Sequence, residues 1–587
     1  MTLQAQYDQA VAAHRSGDLG QAEKLYRQLL DAAPASFSAS HMLGVLCAQQ
    51  GRNQEAAALL ETAIRANPRS AAALTNYGNI LSSLGRYPQA LASFDQALAL
   101  QPDPIALNNK GSILHRTGRF DEALACYARA IAMQPHYAEA HYNRGNSQFE
   151  TGQLEDALDS YDKAIAAAPQ YSDAMNKRGV TLHARSQFKE AIAAFDQALM
   201  IRPDDAQALS NRSISLWSSG DFADALKSAD LALAIDPLLA PTWSHRGNVL
   251  RALGRPQEAL DSYDHAISLD SDNAEAYLNK SYCLLLAGRW REGWPLFEWR
   301  KRLPVPVAAR TFSLPLWTGK EDLTGKTLFS YAEQGLGDTI QFFRYCEAVR
   351  SRGAQVVLAA QNGLVRLLKA ANPGVAVVDF DAVPPHFDYH IPLMSFPLAF
   401  NTPVENVPAG GPYLKAELGK VREWAGIIGK HGFKIGIAWR GHDRPAMMGR
   451  SFPLLSFEKL AQLPGIRLIS LQKGATELEL QTNAPRMNLE VFDNDTGPDA
   501  FVDTAAIMQN LDLVITADTS IAHLGGALGR PTWIALKHLP DWRWLAGTAK
   551  TPWYGTVTLY RQPTEGDWAS VFDQIKISLV ALLQSRE

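Results

Sequence analysis

A 34-residue clock runs through the first half of this chain and constrains its fold more than any other feature. Prolines fall at Pro34, Pro68, Pro102, Pro135, Pro169, Pro203 and Pro237, 34 residues apart with one interval of 33. Small residues keep the same time at Gly44, Gly78, Gly111, Gly145, Gly179, Ser213, Gly247 and Ser281. So do Ala22, Ala56, Ala90, Ala123, Ala157, Ala191, Ala225 and Ala259, with Gly293 closing the series. The single short interval shifts all three ladders together, which places a one-residue deletion between Pro102 and Gly111. Three ladders in phase imply one structural unit used repeatedly.

The pattern resembles the tetratricopeptide repeat, a helix-turn-helix unit of this length. Small residues let the two helices of a unit approach, and proline ends the second because it cannot continue the hydrogen-bond ladder. About nine units fill residues 3 to about 302. The last is degenerate: Ser271 stands in place of proline, and Trp290, Trp294 and Trp299 load its end, as expected of residues that cover a terminal repeat against a following domain. Two further ladders run along the first helix of each unit. Asn76, Asn109, Asn143, Asn211 and Asn279 stand two residues before the small residue, with Lys177 and His245 filling the gaps. Carboxamides in a row can pair with the backbone of an extended peptide, or bond between repeats instead. In this the array resembles that of the O-linked N-acetylglucosamine transferases of protein substrates. Lys110, Arg144, Arg178, Arg212, Arg246 and Lys280 form a basic row, and Asp95, Asp162, Asp196, Asp230 and Asp264 recur at repeat spacing to pair with it.

At 587 residues the chain is too long for one core, so two to four domains are expected. A net charge of −4 provides no overall attraction to nucleic acid or anionic membrane. Cys47, Cys126, Cys283 and Cys346 are scattered without a CxxC pair, which favours buried, reduced thiols over a disulfide framework or a zinc site. The N-terminus has no signal-peptide pattern and no apolar run reaches the ~18 residues of a membrane span. A cytoplasmic protein is expected.

The clock stops at Leu303. A proline-rich linker with Pro304, Pro306 and Pro315 occupies 303–325, and strands then alternate with helices. Expected strands are 326–332, 355–360, 375–380 and 387–393 in a first unit (326–415). A second unit (416–587) has 433–439, 466–472, 489–493, 511–518 and 531–537, with a closing helix over 567–585. Such alternation implies two Rossmann-like parallel sheets with a ligand cleft between them.

Two motifs carry chemistry. Glu333-Gln334-Gly335-Leu336-Gly337-Asp338 joins a strand to a helix start, where glycines admit a ligand and free N–H groups face it. Asp338 could equally be a helix cap. Asp518-Thr519-Ser520-Ile521-Ala522-His523 opens a helix packed through Gly525, Gly526 and Gly529, and its start could cradle a diphosphate or be an ordinary capped helix. Asp493-Asn494-Asp495, followed by Thr496-Gly497-Pro498, reads as a turn rather than a metal site. Together with Trp439-Arg440-Gly441, Arg450-Ser451-Phe452-Pro453, Ser470-Leu471-Gln472-Lys473-Gly474, Asp503-Thr504-Ala505-Ala506 and Asp541-Trp542-Arg543-Trp544, the two motifs at Glu333–Tyr345 and Asp518–Gly529 resemble the heptosyltransferase-type glycosyltransferases of the GT-B fold. More closely, they are similar to the bacterial branch fused to tetratricopeptide repeats.

That resemblance implies an α/β GT-B-like domain after the all-α solenoid, a nucleotide-sugar donor as substrate, no metal, no cofactor and inversion at the anomeric carbon. It implies Asp338 as the general base and Arg450 as the cation that neutralises the leaving diphosphate, with Arg440, Gln472, Lys473, Asp518, Thr519, Ser520 and His523 on the donor. Lys473 reads equally as a surface lysine, and Trp542 and Trp544 as cleft wall. The chain carries Ser520 where heptosyltransferases usually have glycine, and its first α/β unit is short. The expected function is a glycosyltransferase acting on a polypeptide acceptor recruited by the repeat groove. The rivals are a scaffold with a silent transferase-like domain and a transferase for a lipid-linked or surface polysaccharide.

Overall fold

The computed structural model describes residues 2–303, 310–408, 411–441, 449–495 and 499–586. Pro304 and Pro306 of the expected linker and Thr496-Gly497-Pro498 of the expected loop lie outside the described residues. Contact density divides the chain into Met1–Pro237 and Leu238–Glu587.

In the first unit, fourteen helices of 13 or 14 residues run from Leu3 to Ile235. The small-residue ladder has a direct steric cause. A Cβ built on Gly145 would lie 2.7 Å from Tyr161 Cε1, and one on Gly179 would lie 2.6 Å from Phe195 Cε1. The glycine of the first helix thus receives an aromatic ring from the second, sixteen residues on. Where serine replaces glycine at Ser213, the residue sixteen positions later is Ala229, so the extra side-chain volume is offset across the interface. Ser213 is buried, and its hydroxyl donates to the Ala225 carbonyl at 2.7 Å.

The second unit opens with four more helices, Ala240–Ala252, Pro256–Leu269, Ala274–Leu286 and Trp290–Phe297. Two parallel sheets follow. The first contains β1 (Thr327–Tyr331), β2 (Gln355–Ala360), β3 (Val375–Asp379) and β4 (Tyr389–Pro392) in the order β3-β2-β1-β4. The second contains β5 (Phe433–Ala438), β6 (Ile466–Ser470), β7 (Leu513–Ala517), β8 (Thr532–Leu536) and β9 (Val557–Arg561) in the order β6-β5-β7-β8-β9. Strand order reverses between β1 and β4 and again between β5 and β7. Crevices for ligands open at the carboxyl ends of strands at such points. Segment 489–493, expected as a strand, makes only an isolated bridge between Glu490 and Ile469. Strand β9 takes a place in the sheet that its sequence did not announce.

Residue 302 marks where helices give way to strands, but the packing division falls earlier because the last helices are built into the α/β core. Trp290 stacks on Trp553 at 4.9 Å, and Trp294 meets Trp542 edge-on at 5.4 Å while its indole N–H donates to the Thr402 carbonyl at 3.0 Å. Trp299 differs: it stacks on Tyr277 at 3.9 Å within the helical segment. All four cysteines are buried free thiols.

The same junction carries a buried ion pair. Arg300 is 1% exposed and reaches the β1/β4 switch point, where it donates to Glu333 at 2.9 Å, to Ser395 at 2.9 Å and to Glu298 at 2.6 Å. The Arg300 guanidinium also holds the Glu298 carboxyl below its usual range, against the upward push of burial, which is the larger single influence.

Two outcomes follow from this packing. Gly145→Ala forces a methyl into the Tyr161 ring and is expected to destabilise the repeats by about 2 kcal/mol in urea denaturation, as overpacked cores do. Arg300→Met leaves Glu333 buried without its cation and is expected to cost about 3–5 kcal/mol; a loss below about 1 kcal/mol on that surface-pair scale contradicts a buried pair.

Candidate functional site at the carboxyl edges of the two sheets

The two motifs meet. Helix Leu336–Phe342 packs on helix Ser520–Ala527, and their contact is so close that a Cβ on Gly337 would lie 2.9 Å from His523 Cδ2 and 3.5 Å from Ser520 Cα. Gly337 is therefore required for backbone approach. The approach sets Asp338 beside the Thr519-Ser520 turn at the carboxyl end of β7.

Asp338 is both cap and ion-pair partner. Its Oδ2 accepts the Gly335 backbone N–H at 2.9 Å, and its Oδ1 accepts Arg543 Nη2 at 2.5 Å. Arg543 is 8% exposed, and its remaining donors are also directed: Nε to Gln341 Oε1 at 2.8 Å and Nη1 to Asp541 at 2.9 Å. Burial works against the Arg543 charge, but Asp541 and Asp338 outweigh it and hold the guanidinium firmly protonated. Arg543 is not among the residues that the motifs single out, although it lies in the Asp541-Trp542-Arg543-Trp544 stretch. Its signal was a cation between two tryptophans expected to wall the cleft.

Arg450 and Asp518 form a second pair, 3.5 Å apart, with Asp518 directly after β7. Burial pushes the Asp518 carboxyl up, with Arg450 countering and Asp541 reinforcing the rise. Burial also opposes the Asp541 charge, yet Arg543 prevails and holds that carboxyl low. Thr519 caps its helix through the Ile521 N–H at 3.3 Å and contacts Thr516 Oγ1 at 3.3 Å. Ser520 and Thr519 are both partly exposed at the edge.

His523, expected on the donor, is turned into the interior. It is buried, stacks on Trp544 at 5.2 Å and shares a 2.9 Å hydrogen bond with the Tyr554 hydroxyl. Burial first, and then the Arg543 charge, lower its pKa from 6.5 to about 3. Behind it, buried Arg344 donates to the Trp553 carbonyl at 2.7 Å and to the Tyr413 hydroxyl at 3.1 Å, under the Tyr554 ring. With Trp544 these residues form the hydrophobic and cationic floor under the two helices; the motifs single out His523 and Trp544 but not Arg344, Tyr413, Trp553 or Tyr554.

The other expected donor residues lie along the β5 and β6 ends with partners of their own. Gln472 Oε1 accepts the backbone N–H of Trp439 at 2.9 Å and of Arg440 at 2.8 Å, so it shapes the loop after β5. Arg440 pairs with Glu479 at 3.3 Å. Lys473 donates to the Asn494 side chain at 2.7 Å and lies 3.3 Å from Asp495. Asp495 in turn accepts the Asp503 N–H at 2.6 Å and the Thr504 hydroxyl, which caps helix Val502–Gln509.

In the first unit, the asparagine ladder links repeats. Asn143 Nδ2 donates to Asn108 Oδ1 at 3.0 Å, Asn211 to Asn176 at 3.0 Å, Asn109 to Asn79 at 2.9 Å and Asn76 to His41 at 2.9 Å. Asn279, in the second unit, is partly buried. Much of the basic ladder pairs with the preceding repeat, Lys110 with Asp95 at 2.5 Å, Arg178 with Asp162 at 2.6 Å and Arg212 with Asp196 at 2.6 Å, whereas Arg144 donates to Ser160 of its own repeat at 2.9 Å. A cavity of about 470 Å³ opens on this ladder, lined by Tyr142, Asp173, Asn176, Lys177 and Arg202. Another, of about 720 Å³, lies beside Arg366, Lys369, Glu417 and Asp499, away from the Asp338 cluster.

A tetratricopeptide repeat model matches residues 7–71, 41–104, 77–125, 108–172 and 176–240, and a second TPR repeat model matches 247–280. Residues 7–280 are a run of tetratricopeptide repeats, and their fold is the repeat solenoid. Among curated proteins, the chain is similar to protein FlbA of Caulobacter vibrioides, 29% identical over 322 residues. The match covers 50% of this chain and 53% of FlbA, so the chain spans about half the length of that relative. Among solved structures it is similar to YrrB, described as a TPR protein with an unusual peptide-binding site (24% identity, 31% of this chain and 95% of YrrB, TM-score 0.28). A tetratricopeptide repeat protein of Parabacteroides merdae is also similar (19% identity, 48% and 98% covered, TM-score 0.32). No helix among the described residues is long and apolar enough to cross a membrane.

The buried imidazole makes stability depend on pH in a definite direction. Unfolded His523 gains its proton near pH 6.5, and the folded group only near about 3, so between these values the unfolded chain binds more protons. Stability therefore falls as pH drops below about 6.5, by up to about 1.4 kcal/mol per pH unit. Denaturation at pH 7, 6 and 5 is expected to lose this component in His523→Gln; identical slopes contradict a neutral buried imidazole.

Proposed function

We propose that the α/β region is a glycosyltransferase of the heptosyltransferase type, on a GT-B-like pair of sheets, that uses a nucleotide-sugar donor. The single observation that carries this reading is the approach of Gly337 to Ser520 and His523, which brings a carboxylate to a helix start flanked by two arginines. A carboxylate there can accept the proton of an acceptor hydroxyl as its oxygen bonds to the anomeric carbon. The bond from that carbon to the diphosphate breaks at the same time, and its electron pair leaves on the phosphate. The helix start at Thr519-Ser520, with Arg450, receives that developing charge. Asp338, Arg450, Thr519 and Ser520 are the residues we assign to the reaction. His523, Gln472 and Arg440 support it from behind, and Lys473 serves the neighbouring loop.

Tetratricopeptide repeats typically bind protein or peptide partners, and we assign the acceptor to that class. The amides of Asn76, Asn109, Asn143 and Asn211 each donate to the preceding repeat, so a peptide would draw on their remaining N–H groups and on the carbonyl oxygens of Asn76 and Asn143. A scaffold whose transferase-like region is silent is the alternative. It draws on the Asp338 carboxylate being held by Arg543.

Purified protein offered a panel of nucleotide-sugars is expected to release nucleoside diphosphate from one of them. Asp338→Ala and Arg450→Ala are each expected to lower that release by about 100-fold or more, the scale of a lost general base or charge-stabilising donor. Release at the wild-type rate by both variants contradicts the assignment. No release from any donor favours the scaffold.

A further inference from the structure

The Asp338 cluster contains buried donor atoms that meet no acceptor among the described residues. Gln341 is fully buried, and because Arg543 can only donate, the 2.8 Å bond from Arg543 Nε fixes Gln341 Oε1 as the acceptor. Its Nε2 is then an oriented N–H₂ group, and it meets no acceptor among the described residues. Arg450 Nε, at the other pair, is likewise buried without an acceptor among the described residues. Unsatisfied buried donors cost free energy unless an oxygen-rich group meets them. Beside Gln341 stands Arg543, whose Nη2 is bound to the one carboxylate the proposed reaction requires.

We propose that Arg543 is shared between Asp338 and the diphosphate of the donor, so that donor binding draws the guanidinium off Asp338 and frees that carboxylate to accept the acceptor's proton. This rests on the donor-site reading above and adds an order to it: donor first, acceptor second. In the free protein Arg543 competes with any hydroxyl for the lone pairs of Asp338. An arriving diphosphate offers more negative charge, bidentate geometry and acceptors for Gln341 Nε2 and Arg450 Nε at once. Asp541, on Nη1, keeps the guanidinium in place while Nη2 changes partner. Arg543 is thus a positioning residue for the base as well as a contact for the leaving group. No proton moves on donor binding; the Asp338 proton transfer occurs only as the new glycosidic bond forms and the phosphate leaves.

The test is a binding measurement that needs no turnover. UDP, GDP, ADP, CDP and dTDP are titrated by calorimetry into wild-type, Asp338→Asn, Arg543→Lys and the double variant, with melting temperatures to verify folding. Asparagine preserves the cap to Gly335 but removes the charge that competes for Arg543, so Asp338→Asn is expected to tighten the bound nucleotide at least fivefold. Arg543→Lys is expected to weaken it at least tenfold, and Asp338→Asn is expected to have no effect in the Arg543→Lys background. If the wild type binds one nucleotide and Asp338→Asn leaves its affinity unchanged or weaker, the sharing of Arg543 is wrong while the donor site stands. If Arg543→Lys melts early, the Asp338→Asn arm alone decides. If the wild type binds none of the five, the donor site and this proposal fall together.

Discussion

Everything proposed for the α/β region depends on one close approach, the backbone of Gly337 against the side chain of His523 and the turn at Ser520. Any side chain at residue 337 would collide with the imidazole at 2.9 Å. The contact is held from beneath by groups with no surface role. Buried His523 rests on Trp544 and Tyr554, and Arg344 fastens the helix carrying Asp338 to the Trp553 backbone. Burial keeps the imidazole neutral, so it packs as an aromatic wall and places no second positive charge beside Arg543. The local chemistry is then set by alternating charges: Asp338, Arg543, Asp541, and Asp518 with Arg450.

The helical half bears on this site through its last turns. Trp290 and Trp294 enter the same core as Trp542 and Trp553, next to the residues that carry Arg543. Arg300 fills the switch point of the first sheet with a guanidinium bonded to Glu333, five residues before Asp338. In a doubly wound sheet that crevice ordinarily faces a ligand. Here Arg300 of the chain's own helical segment occupies it, beside a sheet of four strands.

Much of the fold was legible because its causes are periodic. The glycine ladder records a ring packed against a helix backbone at Gly78, Gly111, Gly145, Gly179 and Gly247, with Leu60 in that place at Gly44, and the Ser213–Ala229 exchange records the same volume divided differently. Buried parallel strands announce themselves as short apolar runs, and eight of the nine lie within about two residues of their expected positions. Strand β9 escaped because Val557–Arg561 is a mixed segment whose place is set by pairing with β8. The packing boundary at Pro237 escaped because tryptophans at a repeat end announce burial without naming what buries them. In the site, both motifs were visible, and Gly337, next to Asp338, does lie against Ser520 and His523. Arg543, Gln341 and Arg344 were not, because their roles depend on contacts made across about 200 residues of sequence, as in the 202-residue separation of Arg543 and Gln341.

The measurement that tests the account most directly is a crystal structure of the full chain with the nucleoside diphosphate that binds it. The account predicts the diphosphate on the N–H groups at Thr519-Ser520, bonded to Arg450 and to an Arg543 that has left Asp338 Oδ1. A nucleotide seated instead in the cavity beside Arg366 and Lys369, with the Arg543–Asp338 bond intact, would contradict it.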